Sequence, residues 1–188
     1  MSIPEFTPFP KIARLNRECI VTEKIDGTNA SVLVGEDGSV SAGSRTRWIT
    51  PADDNHGFAR WVAEHSEELR KLGAGLHYGE WWGSGIQRGY GLTKGEKRFS
   101  LFNVSRWADD AIRPACCHVV PELARGLDMH TLSTNALNEL REHGSLAALG
   151  FMRPEGVVIF HTAASLCFKR TLDKDDEWKG RAAGSSAP

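Results

Sequence analysis

A C-x-x-C pair, a signal-like opening and an apolar run of bilayer length are all missing from these residues. Its four cysteines, Cys19, Cys116, Cys117 and Cys167, form no C-x-x-C pair, which disfavours a redox motif and a disulfide framework. Its seven histidines show no H-E-x-x-H or similar spacing, so a histidine-built zinc site is not expected. No apolar run approaches the roughly 20 residues that cross a bilayer. The opening MSIPEFTPFP has neither the basic start nor the apolar centre of a secretory signal. A cytoplasmic protein with no membrane association is expected. An excess of one charge is also lacking, since 23 Lys and Arg stand against 24 Asp and Glu. A polyanionic partner would therefore need a local basic patch rather than the field of the whole protein. There is no internal repeat and no domain linker.

What is present suits one globular domain: 188 residues, 40% of them apolar and 25% charged. IVTEK (20–24) and NASVLV (29–34) read as strands, and Asp37-Gly38 centres a turn into a return strand through GSRTRW (43–48). Residues 49–73 predict a helix entered through Asp53, Asp54 or Asn55, with Phe58, Trp61, Val62, Leu69 and Leu72 on one stripe and Gly73 as its stop. LHYGEWWG (76–83), FSLFNVSRW (99–107) and CHVV (117–120) read as strands. STNALNELREHG (133–144) reads as a helix capped by Ser133 or Thr134. GVVIF (156–160) and SLCFKRT (165–171) are the last strands. DKDDEWKG (173–180) reads as a terminal helical turn and RAAGSSAP (181–188) as a flexible tail. Strands and helices do not alternate regularly, which disfavours a doubly wound parallel sheet. The expected class is α+β with mostly antiparallel sheets and flanking helices, in a single domain over residues 1–180.

Several short stretches carry groups capable of chemistry. In EKIDGTN (23–29) strand alternation puts Lys24 and Asp26 on one face, just before a glycine. Lys24 reads either as a nucleophile or as half of a surface ion pair at an Asp-Gly turn. Arg45 and Arg47 alternate along a predicted strand, suited to phosphate oxygens or to a solvated edge. Glu80 sits between a glycine and two tryptophans, able to hold a ribose hydroxyl or metal-bound water, or simply to end a strand. Phe102 could stack on a base or fill the core. Glu155, at the start of an apolar strand, needs a cation if buried, and Mg²⁺ with its waters would serve. Lys169 and Arg170 close the series, as phosphate partners or as a strand end in solvent.

The order of these stretches, from Glu23 to Lys169, resembles the covalent nucleotidyltransferase superfamily of ATP-dependent DNA ligases, RNA ligases and capping enzymes. Within it, EKIDGTN is most similar to the ATP-dependent RNA ligase branch, the bacteriophage RNA ligase 2-like family. The resemblance implies a nucleotidyltransferase (ligase adenylation, ATP-grasp-like) domain; the relatives continue into an OB-fold or a helical domain, and no such C-terminal domain is expected in these 188 residues. It implies that Lys24 attacks the α-phosphate of ATP to give a lysyl-adenylate. Glu23 would read the adenine, while Asp26, Gly27 and Asn29 would surround the nucleotide. Arg45, with or without Arg47, would hold ribose or phosphate, Glu80 the ribose, and Phe102 would stack on adenine. Glu155 would coordinate Mg²⁺ or Mn²⁺, and Lys169 would contact the α-phosphate. The implied partners are nucleic-acid ends, RNA ahead of DNA, and a protein supplying further nucleic-acid-binding surface. The family's last motif often has two lysines spaced one apart, and Cys167 holds the earlier place here, with Arg170 a possible replacement contact. A minimal DNA ligase, another nucleotidyltransferase, or a weakly catalytic module that binds nucleic-acid ends are the alternative readings.

Overall fold

Two sheets, packed across a shared apolar layer, make up the computed structural model, which describes residues 5–173. The chain runs β1 (Cys19–Lys24), β2 (Thr28–Val34), β3 (Val40–Ser44) and β4 (Trp48–Ile49). It continues through α1 (Phe58–Glu64), α2 (Ser66–Leu69), β5 (Gly75–Gly83), β6 (Lys97–Leu101), α3 (Val104–Trp107), β7 (Cys117–Val119) and β8 (Glu122–Gly126). It closes with α4 (Met129–His143), β9 (Gly156–His161) and β10 (Leu166–Thr171). The smaller sheet has the order β10-β9-β1-β8 and the larger β4-β3-β2-β5-β6-β7. Every pairing is antiparallel except β6 with β7. The expected α+β class with mostly antiparallel sheets is the observed one. No helix among the described residues is long and apolar enough to cross a membrane.

Three apolar clusters hold these elements. One face of the larger sheet packs Val32, Trp81, Phe99 and Leu101 against Phe58, Val62, Leu69 and Leu72, the stripe that the spacing predicts. The outer face of the smaller sheet packs Cys19, Val21, Val157 and Ile159 against Ala136, Leu137 and Leu140 of α4. Between the sheets lie Ile20, Ile25, Trp82, Tyr90 and Val104. Because side chains alternate along a strand, Val21 and Glu23 face α4, whereas Ile20 and Lys24 face the inter-sheet cleft.

Local differences from the expected elements have identifiable causes. The helix expected to be entered through Asp53, Asp54 or Asn55 starts at Phe58, after a Thr50–Asp53 bridge and a left-handed Gly57 at φ 83°. Asp54 does accept from the helix N-terminal amides of Ala59 and Arg60. Helix α4 begins earlier than predicted, because Asp128 accepts from His130 and Thr131, which leaves Ser133 and Thr134 inside it. The strand expected over 99–107 ends at Leu101, where Asn103 caps the turn of α3 by accepting from the Arg106 amide. Arg45 and Arg47 lie in the turn between β3 and β4 rather than along a strand, and Ser44 and Arg47 share the turn's hydrogen bonds. Strand β8 was not expected from its mixed sequence ELARG. The predicted terminal turn beyond Asp173 and the tail 181–188 lie outside the described residues.

Glu23 is the most demanding residue of this framework. It is 1% exposed and accepts from Ser145 Oγ at 2.6 Å and from the Leu146 and Ala147 amides at 2.9 Å each. Burial raises its pKa above the ordinary carboxylate value, against the pull of these donors. Removing the carboxylate strands one hydroxyl and two amides in a dry site. Glu23→Ala should therefore lose about 3 kcal/mol of stability or more, checked by urea unfolding against wild type.

Candidate active site

The end of β1 and the start of β9 lie side by side, with Lys24 opposite Gly156. Lys24 Nζ stands 2.6 Å from Glu155 Oε2, both side chains being mostly shielded. Gly156 lets β10 pack close behind this pair: its φ is 155°, and a Cβ there would fall 2.2 Å from the Arg170 carbonyl oxygen. The Glu-Gly pair of the sequence is thus a carboxylate on a backbone that tolerates no side chain at the next position.

Glu80, in the middle of β5, reaches the same cleft from the other sheet. It is 7% exposed and accepts from the Gly27 amide and from Asn29 Nδ2, each at 3.1 Å. Burial pushes its pKa up to about 7; the nearby Lys24 charge and its two donors pull it down, and Glu155 pushes it up. Lys24, Glu80 and Glu155 therefore share one field. Gly27 lets β5 come close, since a Cβ there would sit 2.5 Å from the Trp81 oxygen and 2.7 Å from Trp82 Cβ.

Two residues that the sequence reading did not single out hold this geometry. The Tyr90 hydroxyl donates to the Lys24 carbonyl at 3.3 Å and accepts from the amides of Asp26 at 3.1 Å and Glu155 at 3.3 Å. Arg88 donates to Asp26 Oδ2 at 3.0 Å, to the Arg153 and Pro154 carbonyls, and to Asp173. Asp26 is thereby turned to Arg88 instead of Lys24. The available signal was glycine density: GSGIQRGYG (83–91) folds with positive φ at Gly83, Gly85, Gln87, Gly89, Tyr90 and Gly91, a tight loop that delivers Tyr90 to the cleft. Ser145, the hydroxyl partner of Glu23, had no such signal.

The remaining candidates divide by strand register. Thr22, Val158 and Lys169 are directly opposite one another, as are Ile20, Phe160 and Cys167. Lys169 and Cys167 thus share the cleft face with Lys24. Arg170 points the other way, with its Nη1 donating to Ser133 and Thr134 of α4, so it does not replace the missing lysine. The Glu23 carboxylate also faces away from the cleft, and its amide donates to the Pro121 carbonyl. That carboxylate is bound to Ser145 and to the amides of Leu146 and Ala147. Arg45 follows Ser44, the partner of Ala30, and so lies beside Asn29 at the cleft rim. Arg47 is taken up by an ion pair with Asp53. Phe102 follows β6, bonds through its amide to the Tyr78 carbonyl and is 41% exposed on the cleft side.

No group of three or more His, Cys, Asp or Glu side chains that could hold a metal occurs among the described residues. A divalent ion that keeps several waters and takes its other ligands from phosphates needs only one or two carboxylates. Glu155, with Glu80 in the same field, fits that donor set.

The raised pKa of Glu80 has a signed consequence. The folded protein keeps a proton that the unfolded chain releases near the ordinary value of 4.5. The stability that this adds is complete below about 4.5 and is lost as pH rises through about 7. Wild type should fall relative to Glu80→Gln by about 3 kcal/mol over that window, as read from urea unfolding at pH 4.5 and pH 8.

Comparison with solved structures finds the same fold in the RNA ligase of Naegleria gruberi. A substituted form of it without nucleotide aligns with a TM-score of 0.58 at 20% identity, over 83% of this chain and 50% of that one. A form with ATP and Mn aligns at 0.61 and 18% identity, over 85% and 51%, and a form with AMP and Mn at 0.56 and 20%, over 84% and 50%. The chain thus spans about half the length of these structures. A search of curated protein sequences gives no significant match. A family model described as RNA ligase matches residues 17–174, nearly the whole of the described chain, so this protein belongs to the RNA ligase family.

Proposed function

We propose that the protein is an ATP-dependent RNA ligase that joins a 5′-phosphate to a 3′-hydroxyl through a covalent AMP on Lys24. The observation that carries this reading is the Lys24–Glu155 contact at 2.6 Å, in a cleft shared with Glu80, Asn29 and Lys169. Support also comes from family membership and from structural relatives that hold ATP or AMP together with Mn.

Attack on the α-phosphorus needs the lone pair of Lys24 Nζ, so the ammonium proton has to leave. The Glu155 carboxylate is the base already in contact with it. The new N–P bond forms as the bond to the pyrophosphate oxygen breaks. Lys169, on the same sheet face, offsets the negative charge that grows on the α-phosphate. Glu80 accepts from the ribose hydroxyls, and Asn29, positioned by Glu80, lies beside the phosphate. Phe102 offers its exposed ring to the adenine, and Arg45 at the rim meets ribose or phosphate. Bound Mg²⁺ or Mn²⁺, held by Glu155 and the phosphates, would supply positive charge beside the leaving pyrophosphate. The AMP then passes from Lys24 to the 5′-phosphate end. Attack of the 3′-hydroxyl on that phosphate forms the new phosphodiester and releases AMP. Splitting the substitution through a covalent intermediate lowers each barrier.

Further parts of the proposal are a cytosolic setting, which the four free cysteines suit, and a single adenylation domain over residues 1–180. A protein partner would add nucleic-acid-binding surface to that domain. The first test is incubation with α-labelled ATP and Mg²⁺ followed by a denaturing gel. Wild type should retain label, Lys24→Ala should retain none, and Tyr90→Phe should label about tenfold more slowly through loss of positioning. Absence of label on folded wild type would sink the enzyme reading and favour a module that only binds nucleic-acid ends.

A further inference from the structure

The cleft face of the larger sheet carries a row of exposed aromatic rings that ends at Phe102, the ring assigned to the adenine. Trp48 pairs with Gly43, Gly43 with Ser31, and Ser31 with Tyr78. The Phe102 amide bonds to the Tyr78 carbonyl and completes the row. Directly paired residues point to the same side of a sheet, so Trp48, Ser31, Tyr78 and Phe102 all face the cleft. The Gly43 position bears this out: a Cβ there would meet Ser31 Oγ at 2.5 Å and the Trp48 ring at 3.2 Å. The indole lies across β3 because that strand has no side chain at this point. Trp48 is 56% exposed, Tyr78 60% and Phe102 41%.

Core packing does not account for these rings, because the opposite face of the sheet already holds the apolar cluster with α1. Three strand spacings separate Trp48 from Tyr78, roughly 14 Å, which is more than one base covers. The adjacent row holds Asn29 and Glu80, so the platform is continuous with the candidate active site. Arg45, exposed in the turn before Trp48, makes no hydrogen bond within the described residues and offers a cation to a backbone phosphate.

We propose that Trp48 and Tyr78 form a stacking platform for unpaired bases of the RNA strand whose end is joined at Lys24. The proposal rests on the RNA ligase reading for the identity of the strand. Aromatic faces accept any base, so the platform is indifferent to sequence. Bases inside a duplex are already stacked on one another and cannot lie flat on a sheet face, so the ligand is single-stranded.

The test measures anisotropy of a labelled, 5′-phosphorylated single-stranded RNA, and of the same strand annealed to its complement, on Lys24→Ala protein to hold off chemistry. Adding Trp48→Ala or Tyr78→Ala should weaken single-strand binding about tenfold each, with duplex binding changed less than twofold. Trp48→Phe should restore most of the loss. Thermal melts matching the parent establish that each variant is folded. Unchanged single-strand binding in both alanine variants overturns the platform, as does failure of the parent to bind the strand. An equal loss for strand and duplex overturns it too. Unchanged RNA binding with an altered oligomeric state would make the row a self-association surface and overturns it. Self-labelling of wild type with ATP is read separately: if that fails while the aromatic variants still lose RNA, the platform stands and the ligase reading falls.

Discussion

A single phenolic oxygen joins the two strands on which the candidate chemistry depends. The Tyr90 hydroxyl reaches the carbonyl of Lys24 and the amides of Asp26 and Glu155, so the nucleophile's strand and the carboxylate's strand share one anchor. The ring is buried, stacked on Phe151 at 4.5 Å and edge-on to Trp82. Burial pushes its pKa upward, so the hydroxyl keeps its proton and remains a donor to Lys24. Phe151 ends the loop whose amides hold Glu23. The carboxylate on one face of β1 and the lysine on the other are thus fixed through the same aromatic contact.

The electrostatics of the cleft suit the proposed binding of a nucleoside triphosphate together with a divalent cation. Two carboxylates, Glu80 and Glu155, act on one ammonium, and the excess negative charge is relieved in part by the proton that Glu80 keeps up to about pH 7. A nucleotide triphosphate would meet repulsion from such a pair on its own. In the proposed reaction a divalent cation held by Glu155 would supply positive charge that offsets this repulsion. Under that reading Lys169 on β10 and Arg45 on the rim would meet what remains of the charge.

How far this was legible in the sequence depends on whether the information is local. Lys24, Glu80 and Glu155 could be singled out because each stands in a short pattern with a glycine that the backbone needs. The apolar stripe from Phe58 to Leu72 was visible for the same reason. Arg170 was not assignable, since only the pairing of β10 with β9 shows that it faces α4. The partners of Glu23, Ser145 to Ala147, were not foreseeable, because they are more than 120 residues away and two of them act through main-chain amides that any residue carries. Arg45 and Arg47 looked like strand residues by alternation, yet the hydrogen bonds of Ser44 with Arg47 close a turn there. Tyr90 belonged to a glycine-rich loop whose path no periodicity describes.

The register of β10 against β9 carries a consequence for divergence within such a fold. Strand β10 lies at the edge of its sheet, joined to β9 by the short turn after His161, and its register is held by the ladder to β9, by the Leu172 amide on the Glu155 carbonyl and by Arg170 on α4. Because alternate residues face opposite ways, gain or loss of one residue in that turn would exchange Lys169 with Arg170. An ammonium facing the cleft would become a planar guanidinium, and the hydroxyls of α4 would lose their forked donor. The length of one hairpin turn therefore acts as a selector of cation type, and lineages could retune phosphate contacts by indel without altering any residue in the strand itself.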